Sequence, residues 1–316
     1  MFIEALKAFI IGLVEGITEW LPISSTGHMI LVDEFLQLDV SPQFLEMFLV
    51  IIQIGAIMAV IILYFSKLNP FSRRKTPRER RSTWRLWGMV VIGCLPAAVV
   101  GMLFDDWVHE HFYNAVVVAS MLILYGIIFI LIERRNRRLE AQRKAALPSG
   151  GAARGRHARV DSNAPSGGEE MAGDSIFRVQ TVDDIDVPTA LKIGLFQCLA
   201  IVPGTSRSGA TIIGGMLAGC SRVAATEFTF FLAIPIMLGW GLVKVVRFAA
   251  AGLVMTQTEL VVMVVGLLTA FVTSILAIKF LLGYIKQNDF TVFGWYRIVV
   301  GIVVLTYFGL KAAGMV

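Results

Sequence analysis

Charge is scarce in this chain. Of its 316 residues only 16% are Asp, Glu, Lys or Arg, while 56% are hydrophobic. A soluble domain carries about a quarter charged residues. The deficit excludes an ordinary water-soluble globule and points to an integral membrane protein. Cysteine is scarcer still. Cys94, Cys198 and Cys220 stand apart in apolar surroundings. Their spacing suits neither a disulfide framework nor a metal-ligand set, so they read as small buried hydrophobes. There are four histidines, His28, His109, His111 and His157, and only His28 falls at predicted membrane depth. No basic patch rich in aromatics is present, which argues against nucleic acid as a partner.

What charge there is lies in clusters. The net charge is +5 with 28 Lys and Arg, and these crowd into residues 66–85 and 134–159. Such clusters mark cytoplasmic loops. The N-terminus does not read as a cleavable signal, because Glu4, Glu15 and Glu19 interrupt its apolar stretch.

Polar residues also gather in two islands inside apolar sequence. EGITEWLPISSTGH spans residues 15–28 and PGTSRSGAT spans residues 203–211. In the first, Pro22 breaks a helix, and neither flanking arm reaches the roughly 20 apolar residues of a full span. Residues 1–36 are therefore expected to form a re-entrant hairpin of two half-helices. Full spans are expected over 44–65, 86–104 and 113–133. Asp105, Asp106, His109, Glu110 and His111 then fall in a short outer loop, whose two histidines, spaced by two, complete no metal-ligand set. Residues 134–188, Arg-rich and then Ala/Gly/Ser/Pro-rich, have little to bury and read as a mobile cytoplasmic linker. The opening pattern returns as a second re-entrant hairpin over 189–221. Spans over 223–247, 258–283 and 290–313 complete the chain. Lys244 and Arg247 at a predicted outer end run against the charge bias.

The two halves repeat. Setting Gly12 on Gly194 aligns Ser24 with Ser206, Thr26 with Ser208, Gly27 with Gly209 and Glu15 with Gln197. Three spans separate the hairpins, so the second unit is inverted relative to the first. The fold class is thus all-α polytopic: two inverted-topology repeats, 1–133 and 189–316, each a hairpin plus three transmembrane helices. Such repeats place a site near the midplane, where the broken helices meet.

A charged group at bilayer depth costs on the order of 2.5–3.5 kcal/mol, so Glu15, Glu19 and Arg207 need a reason to be there. One is a buried ion pair between the hairpins. The other is chemistry. Arg207 sits in a Gly/Ser turn suited to bidentate recognition of phosphate oxygens. The backbone of Gly204, Thr205 and Ser206 can form an anion nest there, with hydroxyls from Ser206, Ser208 and Thr211. The turn lacks the Gly-Lys-Ser/Thr ending of a P-loop. In the first island Ser25 is the candidate nucleophile and His28, three residues on, its base. Ser24 and Thr26 read as turn formers or phosphate donors. Glu15 and Glu19 share a helical face and suit a hard cation, Mg²⁺ or Ca²⁺, shared with phosphate. Equally, they suit orientation of His28 or the serine.

These two islands, in this order and at this chain length, resemble the undecaprenyl-diphosphate phosphatase family of the bacitracin-resistance type. The likeness runs through both repeats and fails in residues 134–188. It implies a bacterial inner-membrane enzyme that removes the terminal phosphate of undecaprenyl diphosphate, regenerating the carrier lipid of cell-wall synthesis. It also implies a divalent-metal requirement and a site open to the periplasm. By motif position Glu15, Glu19, Ser25, His28 and Arg207 take the family's functional places. Ser24, Thr26, Ser206, Ser208 and Thr211 support them. The partners implied are the polyprenyl diphosphate and the lipid bilayer, and the reading leaves room for a homodimer. A membrane phosphatase with a histidine nucleophile is disfavoured, since no histidine follows Arg207. A transporter or flippase of an anionic lipid or phosphate is the alternative from another class. It would use the same midplane site without needing a nucleophile and base.

Overall fold

A computed structural model describes residues 1–146, 176–252 and 254–314. Among these residues the chain is helical, with a single parallel bridge between Val179 and Cys220. Helix α1 (Phe2–Thr18) and α2 (Ser25–Phe35) form the first hairpin. Then come α3 (Pro42–Leu63), the short α4 (Phe65–Leu68), α5 (Pro77–Phe112) and α6 (Ala115–Ala146). The second hairpin is α7 (Val187–Cys198) and α8 (Arg207–Leu217). It is followed by α9 (Arg222–Ala250), α10 (Gln257–Ile285) and α11 (Thr291–Ala312). Six of these, α3, α5, α6, α9, α10 and α11, are long and apolar enough to cross a membrane. The four hairpin arms have only 11 to 17 residues and are not. The protein is a polytopic helical membrane protein.

Sequence dictates the helix starts. Ser41 caps α3, and Thr76 and Thr256 close capping boxes with Glu79 and Glu259 on α5 and α10. Proline stands in the first turn of α3, α5 and α7, where its missing N–H costs nothing. Two boundaries differ from the sequence expectation. Asp105, Asp106, His109, Glu110 and His111 are not a loop but the last turns of α5, which passes through Pro96 without stopping. No helix breaker stands between residue 97 and the turn at Tyr113–Asn114, and helix is the cheapest way to satisfy backbone groups in lipid. The expected linker over 134–188 is also shorter at both ends. Residues 134–146 continue α6, and residues 176–186 are packed. Residues 147–175 lie outside the described residues.

Each half grips the other. The first arm α1 lies on α10, where a Cβ on Gly12 would stand 2.5 Å from the Gly266 carbonyl and one on Gly16 2.7 Å from the Ala270 carbonyl. The corresponding arm α7 lies on α5, with Gly194 on the Gly93 carbonyl. Likewise α6 and α11 meet at Gly126 and Gly294. Lipid tails are as apolar as leucine, so helices in a membrane associate by such close backbone approach.

Polar clamps fix both ends of the bundle. At one end Ser41 donates from N and Oγ to Glu259, and Glu4 accepts from the Asp39 N–H. Lys244, the exception to the charge bias, pairs there with Glu46 at 3.0 Å. At the other end the fully buried Glu133 accepts from Arg222 at 2.6 Å and from the Phe290 N–H at 3.1 Å. Here too the segment before α7 is tied down. Val179 exchanges backbone bonds with Gly219 and Ser221, and Asp183 takes Lys67 and Ser82. Asp186 caps α7 through the Thr189 N–H. Bonds from Thr189 and Arg178 hold its carboxyl well below the usual range.

Candidate active site

The two hairpin turns are built alike. Ser24 has φ 74° and Ser206 has φ 72°. Positive φ at a residue with a Cβ is a strained conformation, costing of order 1–3 kcal/mol. Each serine caps the arm that follows, Ser24 accepting from the Gly27 N–H and Ser206 from the Gly209 N–H. This leaves the N–H groups of Ser25, Thr26, Arg207 and Ser208 among the free donors of two helix N-termini. Two partial positive charges therefore face the same region, a ready site for an anion.

Between the turns stands Glu19, the C-terminal cap of α1. Its Oε2 accepts from Ser25 Oγ at 2.8 Å, and its Oε1 accepts from Arg207 Nη2 at 2.9 Å. Its own carbonyl accepts from Ser208 Oγ at 3.2 Å. One residue thus binds the nucleophile candidate of the first island and the guanidinium of the second. Arg207 also donates to the Thr229 carbonyl at 2.9 Å, which sets the plane of its fork. Thr211 hydrogen-bonds the Arg207 carbonyl and receives Thr229 Oγ1, so it braces the arm from behind. Ser206 and Ser208 lie 3.2 Å apart through their hydroxyls.

Ser25 is not joined to His28. The His28 Nδ1 lies 2.7 Å from the Ser24 carbonyl, so Nδ1 carries the proton there, and Nε2 meets the Tyr296 hydroxyl at 2.8 Å. The ring stacks on Tyr296. The imidazole folds back onto the carbonyl four residues earlier, and Ser25 Oγ donates to the Glu19 carboxylate instead. Glu15 is buried one turn before Glu19, and its Oε1 has no hydrogen-bond partner among the described residues. Gly204 has φ 90°, and a Cβ there would lie 2.5 Å from the Val118 carbonyl, so only glycine fits this turn.

Arg297 of α11 was missed by the sequence reading. It is fully buried, and donates to the carbonyls of Pro22 at 3.1 Å, Gly204 at 3.0 Å and Thr205 at 2.9 Å. It ties the two turns to each other. An arginine in the middle of an expected span was the signal, but its hydrogen-bond partners are backbone atoms, which no side-chain pattern announces.

The site opens into a cleft of about 560 Å³ between α5 and α9. Its polar end carries Glu19, Ser25, Thr26, Ser206, Arg207 and Ser208. Ala97, Val100 and Met102 of α5 and Pro235, Ile236 and Trp240 of α9 also line the cleft, together with the polar Gln53 and Asp105.

The chain matches the family described as bacitracin resistance protein BacA over residues 8–303. It belongs to that family. Among BacA relatives, the undecaprenyl-diphosphatase of Enterococcus faecalis is 50% identical over 97% of this chain and 98% of the relative. The undecaprenyl-diphosphatase of Streptococcus mutans is 48% identical over 97% of both, and that of Acetivibrio thermocellus 47% identical over 97% of this chain and 98% of the relative. The BacA match takes in both turns, the cleft and Arg297.

Proposed function

We propose that this protein hydrolyses undecaprenyl diphosphate to undecaprenyl phosphate and inorganic phosphate. The observation that carries the reading is Glu19, bound at once to Ser25 and Arg207 where two helix N-termini converge. The names of its relatives support the same activity. The diphosphate enters at the polar end of the cleft with its polyprenyl tail along the apolar side chains. Its terminal phosphate draws Arg207 away from Glu19 into bidentate contact. That releases the Glu19 carboxylate to take the Ser25 proton. Ser25 Oγ bonds to phosphorus as the bridging P–O bond breaks, and polyprenyl phosphate leaves with the proton that Glu19 passes to its departing oxygen, which restores the carboxylate. Water then attacks the phosphoserine and gives its proton to Glu19. The Oγ–P bond breaks, and the proton returns to Ser25. Arg207 and the N–H groups of both turns stabilise charge on the transferring group, the main need in phosphoryl transfer.

Glu15 and Glu19 offer hard oxygen donors on one face, and the unpartnered Glu15 Oε1 suits a cation. These two would hold the Mg²⁺ or Ca²⁺ that the resemblance implies, which would supply charge neutralisation at the phosphates. His28, bridged to Tyr296, orients the first turn of α2. The matched serine turns and the reciprocal packing of α1 on α10 and α7 on α5 support two inverted repeats. With the arginine-rich ends inside, the cleft opens toward the periplasm of a bacterial inner membrane.

The test is phosphate release from a polyprenyl diphosphate by the purified protein, with Mg²⁺ and with chelator. Wild type is compared with Arg207→Ala, and Ser25 is probed for a trapped phosphoenzyme. Release that Arg207→Ala abolishes supports the reading. No release from folded wild type overturns it, and Ser25→Ala turning over at the wild-type rate removes the serine step.

A further inference from the structure

Gln197 lies in the last turn of α7, the first arm of the second hairpin, and lines the same cleft as Ser206 and Arg207. It is 3% exposed, yet neither Oε1 nor Nε2 has a hydrogen-bond partner among the described residues. The Cys94 thiol stands close enough to act on the amide, but it is only a weak donor and a weak acceptor. Buried amides in folded proteins are paired with few exceptions, and an unpaired one asks for an explanation. Packing alone does not give one, because a Met or Leu would fill the same volume without stranding two polar atoms. The neighbours of Gln197 do. It lines the cleft that holds Arg207, where the functional reading places the terminal phosphate.

We infer that Gln197 is a further substrate-contacting residue, its Nε2–H donating to a non-bridging oxygen of the terminal phosphate while Arg207 holds the oxygens beside it. The Oε1 accepts from a water in the shell of that phosphate. An amide suits the place chemically. Glu15 occupies the matching position of the first island, but a second carboxylate against an incoming diphosphate would repel it. The neutral amide instead supplies a donor without a charge to be neutralised. This inference rests on the diphosphate reading above.

Three proteins test it: wild type, Gln197→Met and Gln197→Glu. Methionine keeps length and volume and removes both polar atoms. Its kcat/KM for a polyprenyl diphosphate is expected to fall about 10- to 100-fold, the loss of one hydrogen bond to a charged group. Glutamate is isosteric and is expected to be the poorer at neutral pH, where its charge opposes the phosphate. Relative to wild type it recovers as the pH is lowered, because the protonated carboxyl regains an O–H donor. Methionine shows no such recovery, and a packing role would move neither profile. Gln197→Met within about twofold of wild type at every pH overturns the inference.

A binding measurement guards against variants that turn over poorly for other reasons. A methylene-bridged polyprenyl diphosphonate, which cannot be hydrolysed, is titrated into Ser25→Ala and into Ser25→Ala/Gln197→Met. Binding weakened about tenfold by the second change supports the contact, and equal binding overturns it. The two failures remain distinct. Wild type that releases no phosphate takes the functional reading down with it. Wild type that turns over, matched by its Gln197 variants, takes down this inference alone.

Discussion

Glu19 has two side-chain partners at once, Ser25 and Arg207. The Glu19 carboxylate and the Arg207 guanidinium pair at 2.9 Å. In the proposed reaction the incoming phosphate competes for the guanidinium, and the carboxylate it frees is the base. Glu19→Gln keeps the size and removes both the charge and the proton acceptor. Turnover is expected to fall by about 10²–10⁴, the usual worth of a general base, with helix content unchanged. Phosphate release and circular dichroism check the two halves of that statement. Arg297 acts differently, since it hydrogen-bonds backbone carbonyls and lies over the Tyr125 ring. Arg297→Met strands three carbonyls, each costing about 1–3 kcal/mol when left without a partner. The thermal unfolding midpoint in detergent is expected to drop along with activity. Arg207→Ala, which faces the cleft, is expected to lose activity with little change in that midpoint.

At the scale of elements, close approach between helices holds the hairpins where the site needs them. A Cβ at Gly12 would strike the Gly266 carbonyl, whereas one at Gly88 would meet nothing within 4 Å. Gly12→Val is expected to destabilise by about 1–3 kcal/mol through overpacking, and Gly88→Val to leave the unfolding midpoint within error. Helix existence was largely legible in the sequence because lipid enforces it. The breaks at Pro22 and around Gly204 announced themselves by residue type. The length of α5 did not, because Asp105 and His109 look like a loop when only polarity is read, and polarity does not stop a helix. Site residue types were legible for the same reason as the hairpins: charge and hydroxyls are costly in apolar sequence. Their pairing was not. Ser25 is three residues from His28 and six from Glu19, and short separation favoured the histidine. What decided the partner was the rotation of an imidazole toward a carbonyl, a tertiary fact. Gln197 was visible as the counterpart of Glu15, but its isolation appears only when its surroundings are known.

For the whole molecule, a cleft lined by both charged and apolar side chains suits the proposed substrate, half phosphate and half hydrocarbon. Removal of divalent ions by chelator is expected to suppress turnover and re-addition of Mg²⁺ or Ca²⁺ to restore it, with the unfolding midpoint measured alongside to separate catalysis from stability. The polar turns belong to different halves of the chain, so neither half holds a site. Chains cut between residues 146 and 176 and produced together are expected to give an active protein, and either piece alone an inactive one. Phosphate release from membranes holding one or both pieces decides this.

That mutual grip also has a consequence in time. During synthesis α1 enters the membrane first, but the partner for its glycine face, α10, is among the last helices made. Until then Glu4, Glu15 and Glu19 stand in or near lipid without the helices that will enclose them. A nascent chain must therefore carry its costliest residues in a half-built state for most of its translation. Anything that shields such a hairpin, an insertion factor or a thin patch of bilayer, would do more for the yield of this protein than for its final stability.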